Sequence, residues 1–394
     1  MKKIVKPILQ VFSIALVLTA LLLFITNLLS FQCSSDEARL RLYYNEKENS
    51  MNVLLFGSSS VRAGFIPTKA YENYGITSYD YCVNHMPLAA TEYMVKEAMS
   101  TQSPELIIID INGITYCNKE STNAKSVAFT DNIRNGKNKI DALRALNDDL
   151  TWEYEVPFIK YHKNIYSIGK CINFGSYYEK YGSNQTVLKG YTTNPTNKAN
   201  FEDDEILNHH EVLQEFVNEG KEYKFNEYES KWVDRMLDYC ETIKDETEIL
   251  FVRFPRPTVK GLNEWEVLPI YAMKDAIEER GFNFVDFTDY LFEDYQGNEL
   301  DIDYQEHLTD ETHFNHYGAE KFTDFLCEYF LANYDITTYE VDVPNGVGLK
   351  DWNKCVELAN EYYQEVILPE TDDETHKEYY EFKLAKYFKI YGVA

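Results

Sequence analysis

Positive charge is scarce in this chain of 394 residues, which has 38 Lys and Arg against 65 Asp and Glu and a formal net charge of −27. Nucleic-acid binding requires Lys and Arg side chains that neutralise phosphates. A chain this acidic is predicted to repel phosphate backbones. We therefore expect no nucleic-acid partner.

Cysteine clusters are also missing: none of the seven cysteines forms a C-x-x-C pair or lies in a tight group with histidine. Such groups would indicate a zinc site or a redox motif. The sequence therefore predicts no metal site, no cofactor and no disulfide framework, although one or two incidental disulfide bridges stay open. The adjacent His209 and His210 stand among acidic residues. Adventitious metal binding is one interpretation of this pair, and a solvated surface pair is the interpretation that we prefer.

One long apolar run, from Ile8 to Phe31, follows three lysines at the N-terminus. It is long enough to span a bilayer. The lysines before it and the acidic segment after it predict a cytoplasmic N-terminus and an extracytoplasmic remainder. A cleaved signal peptide is the alternative, but Ser30-Phe31-Gln32 lacks a small-x-small cleavage site. We predict a single-pass anchor over 1–33 and a connector over 34–51.

The part of the chain from 52 to 333 alternates apolar runs with helical stretches. Continuous apolar runs separated by helices are typical of parallel strands that are covered on both faces. The fold class is therefore predicted to be α/β. The five predicted strands lie near 52–56, 77–83, 106–111, 249–253 and 282–286.

The alternation stops between 118 and 229, where the sequence is polar and rich in aromatic residues. We interpret this segment as an insertion into the domain. It leaves after the third strand and returns before the fourth, so it is predicted to form a cap over the carboxyl edge of the sheet. The alternative is that it packs away from that edge. The remainder, 334–394, is predicted to be a helical extension with amphipathic stretches near 351–366 and 374–391.

Two polar motifs lie at opposite ends of this domain. Gly57-Ser58-Ser59-Ser60 follows the first strand, and Asp310-Glu311-Thr312-His313 precedes the last predicted helix. Taken alone, the serines would be interpreted as a helix cap, and the Asp-x-x-His pair as polar residues at the protein surface. Together they supply a hydroxyl, an imidazole that accepts its proton and a carboxylate that fixes the imidazole tautomer. The combination predicts nucleophilic acyl transfer.

These motifs resemble the two signature blocks of SGNH (GDSL-like) hydrolases. Phe56-Gly57-Ser58-Ser59 is similar to the nucleophile block, and the segment from Asp310 to Gly318 to the terminal D-x-x-H-x-N-x-x-G block. The resemblance covers roughly 52–331. It implies a flavodoxin-like three-layer sandwich with a five-stranded parallel sheet in the order 2-1-3-4-5. It also implies Ser59 as nucleophile, His313 as general base and Asp310 as its orienting partner.

The family's oxyanion hole commonly uses the nucleophile's amide, a Gly amide after the second strand and an Asn side chain after the third. By that resemblance the donors here are the amide of Ser59, an amide near Met86 and the side chain of Asn112. The blocks around Met86 and Asn112 depart from the family pattern, and each missing donor would cost about 2.7–4 kcal/mol of barrier stabilisation.

Three further residues are candidates for substrate binding. These are His85, Arg253 and Asn315. A structural hydrogen bond is the alternative for His85, and a salt bridge is the alternative for Arg253.

The family that the motifs resemble includes membrane-anchored proteins of teichoic acid D-alanylation and alginate O-acetylation. The resemblance therefore implies a cell-envelope polymer as the class of substrate. We expect a membrane-anchored, extracytoplasmic serine esterase or O-acyltransferase that acts on acylated cell-envelope carbohydrate through an acyl-Ser59 intermediate. The alternative is a catalytically weak SGNH-like scaffold that binds an envelope polymer or a membrane acyltransferase partner.

Overall fold

The computed structural model describes residues 2–29, 35–147, 156–168, 187–192, 199, 201, 204–291, 300, 302–340 and 350–364. The amphipathic stretch predicted near 374–391 lies outside these residues. So do Cys33 and Cys171. The five other cysteines are buried free thiols.

Nine strands are present in the described residues, and five of them form one parallel sheet. The sheet order is β2-β1-β3-β5-β7. Counting these five strands alone, the order is 2-1-3-4-5, which confirms the predicted α/β class and topology. Two short antiparallel pairs, β4 with β6 and β8 with β9, lie apart from it. The bounds are β1 Val53–Gly57, β2 Ser78–Cys82, β3 Leu106–Asp110, β4 Ile206–Leu207, β5 Glu248–Arg253, β6 Thr258–Val259, β7 Asn283–Asp286, β8 Leu308–Asp310 and β9 His313–Phe314.

Helices fill the segments between the strands. Several are located as the apolar spacing predicts, including those at 91–99, 227–243, 267–279 and 316–333. In the described ranges they are α1 Lys2–Leu29, α2 Ser35–Leu42, α3 Ser59–Gly64, α4 Pro67–Tyr74, α5 Thr91–Met99, α6 Lys119–Thr130, α7 Lys137–Leu146, α8 Pro157–Tyr161, α9 His209–Asn218, α10 Glu227–Ile243, α11 Val267–Glu279, α12 Tyr304–His307, α13 His316–Asn333 and α14 Lys350–Tyr362.

The central strands are buried on both faces because successive side chains point to opposite sides of a sheet. Leu54 and Phe56 of β1 pack into one core, with α5, α10 and α11. Val53 and Leu55 pack into the other, with α4 and α13. Burying each such side chain contributes about 1.5–3 kcal/mol. The two cores hold β1 and β3 rigidly, and the loops at their carboxyl ends start from this fixed frame.

Helix α1 contains a segment from Lys6 to Thr26 with a mean hydropathy of 2.7, so it is apolar enough to cross a membrane. Its residues 6–24 are exposed. Its carboxyl end is different. Thr26 and Leu29 are buried. Helix α8 packs against α1, and Asn164 Nδ2 donates to the Leu29 carbonyl at 2.7 Å. Residues of the predicted insertion therefore hold the end of the apolar helix.

Described parts of the insertion also reach the sheet. Asp80 of β2 donates its amide to the Lys189 carbonyl at 3.0 Å. Gly190, at φ 91°, lies so close that a Cβ would be 2.3 Å from the Asp80 carbonyl oxygen. Thr192 then donates to the Arg62 carbonyl on α3 at 2.9 Å. This segment runs along the β2 edge to α3; that the insertion caps the site stays a prediction.

Candidate active site at the carboxyl edge of the sheet

The serine turn follows directly from β1. Gly57 is required there, because a Cβ would be 2.5 Å from Val61 Cγ2 and 2.9 Å from Asp110 Cβ. Ser58 has extended backbone, and α3 begins at Ser59. The Ser60 hydroxyl is turned inward and donates to Asp110 Oδ2 at 3.1 Å. Ser59 is half-buried, and within the described residues its side chain makes no hydrogen bond.

The second motif forms the β8–β9 hairpin. His313 Nδ1 lies 2.9 Å from both carboxylate oxygens of Asp310. The Thr312 amide and hydroxyl each donate to Asp310 Oδ1 at 2.8 Å. Because Asp310 accepts the Nδ1 hydrogen, the neutral imidazole carries its free lone pair on Nε2. That Nε2 atom is buried and has no hydrogen-bond partner among the described residues.

The carboxylate of this pair is held in its ionised form. Partial burial alone would raise the pKa of Asp310, but hydrogen bonds from His313 and Thr312 lower it to about 2. Asp310 is therefore ionised at every pH at which the protein is expected to work. It can orient the His313 ring and stabilise an imidazolium.

The hairpin packs against the helix that begins at Ser59, since β9 contacts α3. A Cβ on Gly64 of α3 would lie 3.4 Å from Phe314 Cδ2, the residue after His313. The structure thus brings the elements that carry Ser59 and His313 together. No Ser59–His313 hydrogen bond is formed, however, so proton transfer between them stays a prediction. Such contacts are often long without substrate and tighten in the complex.

Two of the three predicted oxyanion-hole donors are already used within the fold. Asn112 is 2% exposed, and its Nδ2 donates to Asp110 Oδ1 at 2.9 Å and to the Phe254 carbonyl at 3.4 Å. The Met86 amide donates to the Val83 carbonyl at 3.1 Å. In this conformation the Asn112 side chain and the Met86 amide are thus engaged in hydrogen bonds within the fold. Their use as oxyanion donors stays a prediction. The amide of Ser59 is at the first position of α3, where amides have no partner within the helix.

His85 is the candidate that the structure exposes at this edge. Its backbone has φ 51°, a left-handed conformation that is uncommon outside glycine. Its ring meets Tyr116 edge-on at 5.4 Å. Desolvation, followed by the charges of Lys125 and His313, lowers the pKa of His85. A neutral His85 therefore lies within electrostatic range of His313 and can donate or accept a hydrogen bond.

Arg253 and Asn315 are both buried inside the fold. Arg253 is fully buried and pairs with Asp286 at 3.3 Å, which confirms the salt-bridge alternative. Asn315 is also fully buried. It caps α13 by accepting from the Gly318 amide at 3.0 Å and donates to the Glu306 carbonyl at 2.7 Å. The Asn315 side chain is thus engaged within the fold, whereas Arg253 Nε and Nη2 have no hydrogen-bond partner among the described residues. Substrate binding by these two side chains stays a prediction.

Replacing Asn315 by Ala is expected to reduce the free energy of unfolding by about 1–2 kcal/mol, the usual cost of a lost helix cap. The change also removes the donor to the Glu306 carbonyl. Urea denaturation of the purified full chain measures the loss. Asn333→Ala is the matched control, because its side chain is exposed at the other end of α13. Equal stability of the two variants would contradict the capping role.

Asp110 is a central residue that the sequence motifs do not single out. It is 3% exposed and accepts from Ser60, from Asn112 and from the Phe254 amide at 3.0 Å. Burial raises its pKa to about 6 despite these hydrogen bonds. Its sequence signal is the single carboxylate that ends the apolar run of β3. Asp110 joins the ends of β3 and β5 to the serine turn.

The interpretation of His209 and His210 as a solvated pair is wrong for His209, which is fully buried. Its Nε2 lies 2.6 Å from Asp289 Oδ1. The local sequence is polar, but Asp289, from a distant segment, covers the ring.

Compared with known proteins, the chain matches no protein-family model and no curated protein.

Proposed function

We propose that this protein is a membrane-anchored serine esterase or O-acyltransferase of the SGNH type, with its active site outside the cytoplasm. The observation that carries the proposal is the Asp310–His313 pair. Its Nδ1 is hydrogen-bonded at 2.9 Å, and its buried Nε2 has no partner among the described residues. A buried imidazole nitrogen without a partner costs free energy, so its presence beside α3 favours a catalytic use.

In the proposed reaction, His313 Nε2 accepts the hydroxyl proton as Ser59 Oγ attacks the carbonyl carbon of an ester. The tetrahedral oxyanion is stabilised by the Ser59 amide at the start of α3. His313 then returns the proton to the leaving alkoxide, and acyl-Ser59 remains. Water or an acceptor hydroxyl, deprotonated in turn by His313, releases the acyl group. Hydrolysis and transfer use the same residues.

The substrate class follows from the location of the site. An apolar helix that can cross a membrane and an acidic remainder support a proposed site at the outer membrane surface, where acylated cell-envelope carbohydrates would be within reach. The net charge of −27 disfavours polyanionic segments of such polymers near the site. Acyl esters of neutral sugars, or of zwitterionic substituents, fit better.

Labelling of the detergent-solubilised full chain by a fluorophosphonate probe tests the proposal. We expect Ser59 to be labelled and Ser59→Ala to be unlabelled. Ser58→Ala is the control, since Ser58 belongs to the same turn but is turned inward, 5% exposed. Equal labelling of Ser59→Ala and wild type would show that another residue reacts.

The hydrogen bonds already made by the predicted oxyanion-hole donors favour a second function, that of a scaffold with weak catalytic activity. Because Asn112 and the Met86 amide are committed to local hydrogen bonds, the oxyanion is left with fewer donors than the family uses. Each absent donor reduces the rate by roughly 10²–10³-fold. A catalytically weak scaffold that binds an envelope polymer or a membrane acyltransferase is therefore the alternative. Absence of labelling in the folded wild-type chain would favour it.

A further inference from the structure

Three ligand-type side chains converge at a point far along the sheet from the serine turn. His209 and His210 begin α9, and Asp289 follows β7, the strand at the opposite edge from β2. Both imidazole Nε2 atoms lie 2.6 Å from the same oxygen, Asp289 Oδ1. The two rings stack with centroids 4.1 Å apart. All three ligand atoms lie within 4.8 Å of one another.

The surrounding residues orient these rings. The Tyr271 hydroxyl lies 2.6 Å from His210 Nδ1, so it fixes the ring whose Nε2 faces Asp289. Asp286 Oδ2 lies 3.6 Å from His209 Nε2, and Arg253 holds Asp286 in place at 3.3 Å. Hydrogen bonds to the non-coordinating ring nitrogen are the usual outer-shell support of metal-bound histidine, and Tyr271 supplies such a bond for His210.

Charge also suits a cation. Asp289 supplies a carboxylate, and the ion pairs that it makes among the described residues are those with the two histidines. The second nearby carboxylate, Asp286, is paired with Arg253. Neutral imidazole and ionised carboxylate are the forms that coordinate metals.

We propose that His209, His210 and Asp289 bind a divalent transition metal ion, with zinc as the best match. Two imidazoles and one carboxylate are a common zinc ligand set that leaves a fourth position open. Tetrahedral ligands at the usual zinc distances lie roughly 3.3 Å apart. Each Nε2 is now at hydrogen-bond distance, 2.6 Å, from Asp289 Oδ1, so each pair would have to separate by roughly 0.7 Å to admit the ion. No residue of the serine turn or of the β8–β9 hairpin takes part.

A cavity adjoins two of the three proposed ligands. A cavity of about 240 Å³ is lined by His210 and Asp289, together with Tyr271, Lys274 and Asp286. It has room for water or for a small anionic ligand that the metal and Lys274 would share. Since His209 and His210 belong to the insertion and Asp289 belongs to the core, metal binding also joins the insertion to the sheet edge.

Metal binding by the purified full chain, stripped with a chelator, tests the proposal. We expect calorimetry to show one zinc equivalent per chain, and cobalt to give the intense visible absorption of a tetrahedral site. Zinc should raise the thermal midpoint. His210→Gln and Asp289→Asn are expected to lose the site, and Tyr271→Phe to bind about 10–100-fold more weakly.

His210 is the ligand best suited to substitution, because its side chain is 33% exposed whereas that of His209 is fully buried. His162→Gln is the matched control, since this exposed histidine lies on another segment of the insertion. It should bind zinc as wild type does. A folded wild-type chain that binds no zinc, or a His210→Gln variant that binds as tightly as His162→Gln, would overturn the site and leave a purely hydrogen-bonded cluster.

Discussion

Asp310→Asn is expected to slow acylation of Ser59 by about 10⁴-fold. In the native protein, the Thr312 amide and hydroxyl both donate to Asp310 Oδ1 at 2.8 Å. In the variant these two donors would hold the Asn oxygen and turn its NH₂ group toward His313 Nδ1. The imidazole would then carry its proton on Nε2, where it cannot accept one from Ser59.

The rate of fluorophosphonate labelling of the full chain measures this effect, because it isolates the acylation step. Glu311→Gln is the matched control: it removes the same charge from the same hairpin, and the Glu311 side chain makes no hydrogen bond within the described residues. We expect its rate to be little changed. A wild-type rate in Asp310→Asn would mean that Asp310 does not position the base.

As the pH rises from 4 to 7, the free energy of unfolding of Asp110→Asn is expected to increase by about 2 kcal/mol relative to that of the wild type. Burial raises the pKa of Asp110 from 3.8 to about 6, and each pKa unit corresponds to about 1.4 kcal/mol. A raised carboxyl pKa contributes stability that is fully present below the unfolded value. That stability is lost as the pH rises through the folded value. The Asn side chain does not titrate and escapes this loss.

The measurement is the difference in free energy of unfolding between variant and wild type across this pH range. Taking the difference cancels the many other carboxylates of the chain. The Asn oxygen can still accept from Asn112 and Phe254, and its NH₂ group can donate to Ser60, so the local fold should persist. Asp275→Asn, at an exposed position of α11, is the control and should show no such trend. A pH-independent difference for Asp110→Asn would refute its raised pKa.

Some parts of the fold can be predicted from local sequence. The apolar runs of β1 and β3 identify buried strands, and residues 315–318 identify a helix start, because these signals are local. The sheet order came from the resemblance and is confirmed. The hydrogen bond from Asn112 to the Phe254 carbonyl could not be predicted, because the two residues are 142 positions apart in the sequence. His209 was misread for the same reason: its burial depends on Asp289, 80 residues later.

The site residues also differ in whether local sequence or a distant contact determines their role. The Asp310–His313 hydrogen bond spans one short hairpin, so its spacing of three residues predicts it. An oxyanion donor is different, because its availability depends on whether any other part of the chain uses its hydrogen. Spacing gives the residue type at such a position but does not say what that residue already binds.

The contact between α8 and the end of α1 would fix the distance between the proposed site and the membrane. A domain on a flexible linker could reach substrates at many distances from the membrane and in many orientations. Here Asn164 bonds directly to the last residue of the apolar helix, at 2.7 Å, so the proposed site would stand at one height and one orientation above the bilayer. The polymer would then have to reach the site, either as the polymer emerges beside the membrane or when a partner in the same membrane presents the polymer. Lengthening the anchor by a few helical residues would then rotate the site as well as raise it, since each residue turns a helix by about 100°.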